Sequence, residues 1–435
     1  MAASTVNIGI AAAVILSALL FSPVSQRLTT LGITRGSIKN IHGVDGLRTM
    51  PGTNMCEDLH LESTTNQLFA ACQQDAEQRA RWFPPTGLFA DHTATGGGAI
   101  VRIDPVSMTA KTLTLKGFNQ PMVTHGIDIL NDPTESDLLW IYVVSHLPNP
   151  DRWDVKPRRT DLPPERAHIE IFTHRLGTDE AQHIRSVRHP DITMPNDIVA
   201  VSPSSFYVTN DHVHHEGLIR AWEDAGTQSI SPTPNTILIE VTDLKTKSPT
   251  AGIKVRTALR VHNNNGLGRG SPHHPSEIIV LDATGGILTR TTRDPKSQNL
   301  HIIERIPLAS TLDNPSYYLE PFATSTSNAS GYLLPGLPHA YKMMADLPFN
   351  DRAIPSLVWH VRSKDNRPVD KAGPGKGNVW EKRLVFQDDG MGLRSASGAV
   401  LVGIDPERNG GRKQGWLFVT GFGSFGMVAV KIDLE

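Results

Sequence analysis

Five short stretches of this chain carry side chains that are costly to bury without partners. They are Cys56-Glu57-Asp58-Leu59, Thr124-His125-Gly126-Ile127-Asp128, Pro195-Asn196-Asp197-Ile198, Asn264-Asn265-Gly266-Leu267 and Leu312-Asp313-Asn314. Their polar residues are mostly carboxylates and side-chain amides, which are hard oxygen donors, and cysteine is absent from the donor set. Such a set suits calcium, which takes about six to eight oxygens at flexible angles. Each motif alone also has a plainer reading as an Asx-turn or a strand-end cap, and Asn265-Gly266 by itself reads that way. Asn196-Asp197 is harder to dismiss, because it abuts the apolar run Ile198–Val201.

The chain has 18 histidines, so single positions mean little. His125 sits in a turn-like His-Gly within apolar sequence, and His146 closely follows the apolar run Trp140–Val144. A neutral imidazole beside an electropositive metal can act as a general base; the bland alternative is two satisfied core histidines. His212, His214 and His215 form a metal-like cluster that reads as one exposed loop, and His273-His274 before Pro275 reads as a turn. The sequence contains neither a Gly-x-Ser-x-Gly elbow nor a Gly-x-x-x-x-Gly-Lys loop, so serine-hydrolase and nucleotide chemistry lack their usual support.

The elements that must position these residues are short strands. Runs such as Ala99–Ile103, Leu139–Val144, His168–Phe172, Phe206–Val208, Ile237–Val241, Ile278–Leu281, Ala399–Val402, Trp416–Val419 and Val428–Ile432 are rich in Val and Ile. With 36 Gly and 31 Pro to supply turns, the pattern is all-β. Leu218–Trp222 predicts one short helix near residues 215–225. The stretches 148–166 and 364–376 read as solvated loops inside one domain, not as linkers. The key polar residues are separated by roughly 50 to 70 positions, one or two propeller-blade repeats of about 40–50 residues. If each lies on an inner strand, they converge on the axis of a radial repeat.

Residues 8–21 are continuously apolar, which predicts a signal peptide or uncleaved anchor over residues 1–26 and entry to the secretory pathway, with membrane association through 8–21. The sequon Asn328-Ala329-Ser330 is compatible with glycosylation there. Cys56 and Cys72 flank a hairpin and are either one cross-strand disulfide or two buried thiols. The net charge of −2 offers no broad basic field for nucleic acid.

The run Met194–His212, together with Cys56–Leu59, His125-Gly126-Ile127, Tyr142–His146 and Thr311–Asn314, resembles the paraoxonase/arylesterase family in order and spacing. The resemblance spans about residues 44 to 433. It implies a six-bladed β-propeller over 44–435 that hydrolyses lactones or aryl esters and holds two calcium ions in its central tunnel. One, catalytic, would be bound by Glu57, Asn196, Asn265, Asp313 and Asn314. The other, structural, would be bound by Asp58, Asp197 and the Ile127 carbonyl. His125 and His146 match the family's histidine dyad, and His212 and His339 match positions near its active site. The sequence departs from the family in its cysteines: the family's disulfide joins the two chain ends, whereas Cys56 and Cys72 are both early, so closure rests on strand pairing. The Asn263-Asn264-Asn265 triplet leaves the ligand register open, and the loops 151–166 and 364–376 are enlarged. The rival readings are a propeller lactonase using another divalent metal, a non-catalytic calcium-stabilised propeller that binds a partner or lipid surface, and a strictosidine-synthase-like propeller, which lacks the oxygen cluster.

Overall fold

A computed structural model describes residues 24–43, 46–225, 233–349, 351–364 and 380–434. The apolar run 8–21 and most of the loop 364–376 lie outside the described residues. No described helix is long and apolar enough to cross a membrane.

The strand grammar resolves into six sheets arranged as propeller blades, antiparallel except for the edge strand Thr114–Lys116, which joins the second blade in parallel. The inner strands of the first four are Cys56–Glu62, Thr124–Asn131, Pro195–Ser202 and Asn264–Arg269. The fifth blade opens with Ser316–Tyr318, directly after Asp313-Asn314, and the sixth with Ala396–Ile404. Each later strand of a blade pairs antiparallel with the one before it, through a short turn or through a longer excursion such as 146–167 or 337–355. The turn at 63–66 ends on Asn66 at φ 55, a left-handed conformation that Asn tolerates. Apolar residues fill the spaces between neighbouring blades; Tyr142 and Ile171 of the second, for example, pack with Phe206 and Ile239 of the third.

The ring is closed without a covalent link between its ends. Leu47–Met50, from the start of the chain, pairs with Met427–Asp433 at its end and becomes the outermost strand of the sixth blade. Cys56 and Cys72 are directly opposed on adjacent strands of the first blade and form a disulfide, so the cross-strand alternative holds. The predicted helix is present as Gly217–Ala225, and a second, Ala340–Asp346, follows the fifth blade's second strand. Residues 24–30 form a helix strapped across one face of the ring, with Gln26 Nε2 donating to Leu308 O and the Tyr341 amide donating to Leu31 O.

Two sequence readings need correction. Residues 148–166 are not simply solvated: Asn149, Arg152 and Glu165 are buried. Arg152 donates to Leu162 O, Trp153 Nε1 to Pro164 O and Asn149 Nδ2 to Pro163 O, so the loop folds onto itself and onto the second blade. The prolines offer carbonyls without competing N–H groups, which suits them to this closure. His212 is also buried rather than on an exposed loop, with its Nε2 hydrogen-bonded to Asp224 Oδ1 at 2.7 Å and its Nδ1 2.9 Å from Asp211 Oδ1.

Met50 is fully buried where the closing strand meets Met427. Met50→Ala is expected to lower the unfolding free energy by about 2–5 kcal/mol, the range for truncating a packed core methionine. Urea titration checks this, and a loss below about 0.5 kcal/mol is incompatible with the packing described.

A tunnel site of oxygen donors and a histidine pair

Five of the six inner strands break register at the polar motifs. Pairing skips Glu57 between Cys56 and Asp58, and Asn196-Asp197 between Pro195 and Ile198. It also skips Asn265-Gly266 between Asn264 and Leu267, and Ser397 between Ala396 and Gly398. Opposite His125-Gly126, the second strand of its blade shifts between Val143 and Ser145. A regular strand sends successive side chains to opposite faces; a bulge re-aims them. These irregularities let neighbouring residues such as Glu57 and Asp58 both serve the tunnel. Two glycines provide the close approach. A Cβ on Gly126 would lie 2.4 Å from Asn196 O, and one on Gly266 would lie 2.7 Å from Asn314 Cα.

At one end of the tunnel is a cavity of about 280 Å³ lined by Glu57, His125, Asn196, Asn265 and Asp313. Its walls are apolar, with Phe83, Leu312, Leu337, Met343, Met344 and Phe422. Glu57 Oε2, Asn196 Oδ1, Asn265 Oδ1, Asp313 Oδ1 and Asn314 Oδ1 are buried oxygens with no hydrogen-bond partner. These five residues are the set that the resemblance assigns to one calcium. Buried acceptors left without donors are rare and costly, so their concentration here fits a cation. Among the described residues no group of three or more His, Cys, Asp or Glu side chains is arranged to hold a metal. The set here combines only two carboxylates with three amides. The triplet also sorts itself. Asn264 exchanges hydrogen bonds with Thr236, and Asn263 Oδ1 accepts from the Thr284 amide, which leaves Asn265 with the free oxygen. One amide orients the cluster: Asn314 Nδ2 donates to Glu57 Oε1 at 2.9 Å.

Electrostatics point the same way. Burial, and then Asp313 and Asp58, push the Glu57 carboxyl well up from its ordinary range. Burial with Asp58 and Glu57 does the same to Asp197, and burial with Asp58 to Asp313. The four carboxylates therefore repel one another in a dry space. Arg79 is the cation acting on Glu57. It is itself buried, stacked 3.9 Å from the Phe83 ring centre and tied to the carbonyls of Thr124 and Met55.

Asp58 and Asp197 lie deeper. Their oxygens accept backbone N–H groups: Asp58 from Leu59 at 2.7 Å and Ile127 at 3.2 Å, Asp197 from Ile198 and Leu267 at 2.7 Å each. For a second cation the fit therefore rests on their uncompensated charge, not on orphaned oxygens. Below them Arg269 grips Asp128 with two bonds of 2.6 and 2.7 Å, and His60 Nε2 meets Asp58 Oδ2 at 3.1 Å. Sequence reading missed Arg269 and His60. An arginine on an inner strand beside Gly268 was the available signal.

His125 and His146 are buried and bonded to each other, Nδ1 to Nε2 at 3.0 Å. His125 Nε2 faces the cluster, 3.5 Å from both Glu57 Oε1 and Asn196 Nδ2. Burial, followed by His146 and Arg79, drives the His125 pKa well down, so the ring is neutral. Behind the pair, His146 Nδ1 meets Glu165 Oε2 at 2.5 Å. His212 also lines the cavity. Burial and Arg220 oppose its protonation, but Asp211 and Asp224 outweigh them and raise its pKa. His339 begins the helix at the cavity mouth and meets Arg35 O, away from the oxygen cluster.

The fold and site define a six-bladed propeller with an axial oxygen-donor cluster and an adjoining histidine pair. Comparison with known proteins places the resemblance: the arylesterase family model matches residues 103–233, which carry His125, His146, Asn196 and Asp197. Serum paraoxonase/arylesterase 1 of Rattus norvegicus is 28% identical over 121 residues, 28% of each chain. Serum paraoxonase/arylesterase 2 of Gallus gallus is 30% identical over 95 residues, 22% of each. The chain is thus similar to the paraoxonase/arylesterase family, and the matched stretch spans 28% of the length of the first of these relatives. Among solved structures, a luciferin-regenerating enzyme aligns over 88% of this chain and 92% of its own, with 9% identity and a TM-score of 0.42.

Gly266→Ala forces a methyl against the backbone of Asn314 and the ring of Pro315. Overpacking of this kind costs about 1–3 kcal/mol, to be read as a lowered urea midpoint. An unchanged midpoint means that the inner strands are not held this closely.

Proposed function

We propose that this chain is a calcium-dependent hydrolase of carboxylic esters, with lactones and aryl esters as its substrate class. The observation that carries the reading is the convergence of four residues with unpartnered oxygens, Glu57, Asn196, Asn265 and Asp313, with a neutral imidazole in one apolar-walled cavity, Asn314 lying behind them against Glu57. The likeness to serum paraoxonase/arylesterases supports it.

Glu57, Asn196, Asn265, Asp313 and Asn314 would hold the catalytic ion, and Asp58, Asp197 and the Ile127 carbonyl a structural one. Calcium, when bound, supplies Lewis-acid polarisation of a carbonyl oxygen and compensates the clustered carboxylates. The chain's own residues do the rest. Phe83, Leu312, Leu337 and Phe422 receive the apolar part of the substrate and exclude bulk water. His125 Nε2 takes a proton from water as its oxygen attacks the carbonyl carbon, and returns that proton to the leaving oxygen when the ester C–O bond breaks. His146 holds the His125 ring in register through Nδ1. The apolar run 8–21 and the Cys56–Cys72 disulfide support passage through the secretory pathway.

Three outcomes are expected. Hydrolysis of aliphatic lactones and phenyl acetate is lost on chelation and restored by calcium; a panel that shows no hydrolysis with calcium present removes the enzyme reading and leaves a calcium-stabilised binding propeller. Calcium at about a hundred times its Kd stabilises the fold by about 2.7 kcal/mol, seen as a rise in Tm, and Asn265→Ala moves that rise to higher calcium. His125→Gln lowers kcat by about 10²–10⁴, the usual contribution of a general base, with the calcium-dependent Tm shift intact.

A further inference from the structure

We propose that Glu165 is a positioning residue that completes the histidine pair, fixing both ring protons so that the cavity-facing nitrogen of His125 is the bare one. This rests on the hydrolase reading and names a part of the machinery outside the site read from the sequence.

Glu165 is buried with its carboxylate against His146 Nδ1 at 2.5 Å. A neutral imidazole has one N–H donor and one bare acceptor nitrogen. An ionised carboxylate only accepts, so it requires the His146 proton on Nδ1 and leaves His146 Nε2 bare. His146 Nε2 then accepts from His125 Nδ1 across 3.0 Å, which places the His125 proton on Nδ1. His125 Nε2, facing Glu57 and Asn196, keeps its lone pair. With the proton order reversed, His125 Nε2 would carry hydrogen and have no basic atom to offer. The carboxylate is ionised: burial opposes its charge, but His146 and His215 outweigh burial and lower its pKa to about 2.

The surroundings hold Glu165 in place. Residue 165 bridges to Pro148, and the Asn149 amide donates to Pro164 O. The Arg166 amide donates to Leu147 O, so the two residues flanking Glu165 are fixed to the segment that follows His146. Trp82 Nε1 fixes the far side of the pair by donating to His146 O at 2.8 Å. His215 Nε2 approaches the second oxygen, Glu165 Oε1, to 3.4 Å. Phe83 presents ring edges to both imidazoles and keeps the array dry. When His125 accepts a proton during turnover, the charge formed on the pair faces this carboxylate.

The test uses the full chain with nitrogen-15-labelled histidine, in the absence of calcium. Long-range proton–nitrogen NMR correlations report which ring nitrogen carries each proton. Wild type is expected to show His125 and His146 both as Nδ1–H, with the His146 proton strongly downfield. In Glu165→Gln the amide can donate as well as accept, so the His146 tautomer mixes and the downfield signal is lost. An amide in place of the carboxylate behind a catalytic imidazole costs on the order of 10⁴ in rate in serine proteases. Here kcat on phenyl acetate is expected to fall by about 10²–10⁴ in Glu165→Gln, with KM and the calcium-dependent Tm shift unchanged. Wild-type His125 carrying its proton on Nε2, or Glu165→Gln keeping kcat within about threefold of wild type, overturns the proposal. So does a parallel loss of KM and calcium response, which marks a merely structural role. If Glu165→Gln does not fold, the wild-type tautomers together with Glu165→Asp decide. If wild type hydrolyses nothing in the panel, the functional reading has failed, and the NMR result alone judges the proton order.

Discussion

Four carboxylates, Glu57, Asp58, Asp197 and Asp313, are brought to one axis from three separate stretches of chain, and much of the structure is organised around that repulsion. Burial and mutual charge push Glu57, Asp197 and Asp313 upward. Protein-borne compensation is modest: Arg79 acts on Glu57, and backbone amides neutralise part of Asp58 and Asp197. A cluster of like charges in low dielectric must be protonated or matched by a cation. The orphaned oxygens on Glu57, Asn196, Asn265, Asp313 and Asn314 favour the cation, because protonated acids would donate hydrogen bonds and find partners among those acceptors. The arrangement makes the inner ends of the blades the least self-sufficient part of the fold.

That cost explains the local departures from ideal β-structure. Bulges at Glu57, Asn196-Asp197 and Asn265-Gly266 give up ladder hydrogen bonds to turn polar side chains inward. Gly126 and Gly266 remove side chains where two inner strands must nearly touch. The ring tolerates this because its stability resides further out, in the apolar faces between blades and in the strand exchange of Leu47–Met50 with Met427–Asp433. The disulfide sits inside the first blade, so it stiffens the hairpin that bears Glu57 and Asp58 and leaves closure to the backbone.

This division also explains what could be read from the sequence. The middle strands declare themselves by Val and Ile runs between turn residues, because burial on both faces leaves little room for polar side chains, whereas outer strands such as Thr109–Thr112 and Leu300–Pro307 are largely exposed. The oxygen donors stand out for the opposite reason, as polar breaks in apolar stretches, and all eight assigned residues lie on or beside inner strands or their entry. Asn265 could not be separated from Asn263 and Asn264 beforehand, because the distinction depends on Thr236 and Thr284, which are remote in sequence. Glu165 escaped, and the burial of His212 was misread from its surroundings, for a related reason. Both belong to segments dense in Pro, Arg, Asp or His, whose composition reads as solvent-exposed, and their burial follows from partners that local pattern does not contain: His146 for one, Asp211 and Asp224 for the other.

The two chemical halves of the cavity are thus built on different principles. The oxygen cluster is made by the ring itself, one or two residues per inner strand, and its geometry can change only if the blades move. The imidazole pair is made within one blade and its following loop, with His125 on the inner strand, His146 just past the second, and the third member on a loop folded back by proline carbonyls. A donor set held by a rigid ring suits a cation that must stay put, while a proton-carrying array needs a directional chain of acceptors ending in a fixed charge. The contact of His125 Nε2 with both Glu57 and Asn196 joins the halves at one point. Burial, His146 and Arg79 together hold that imidazole neutral, so the donor set meets an uncharged ring and not a second cation competing for its oxygens.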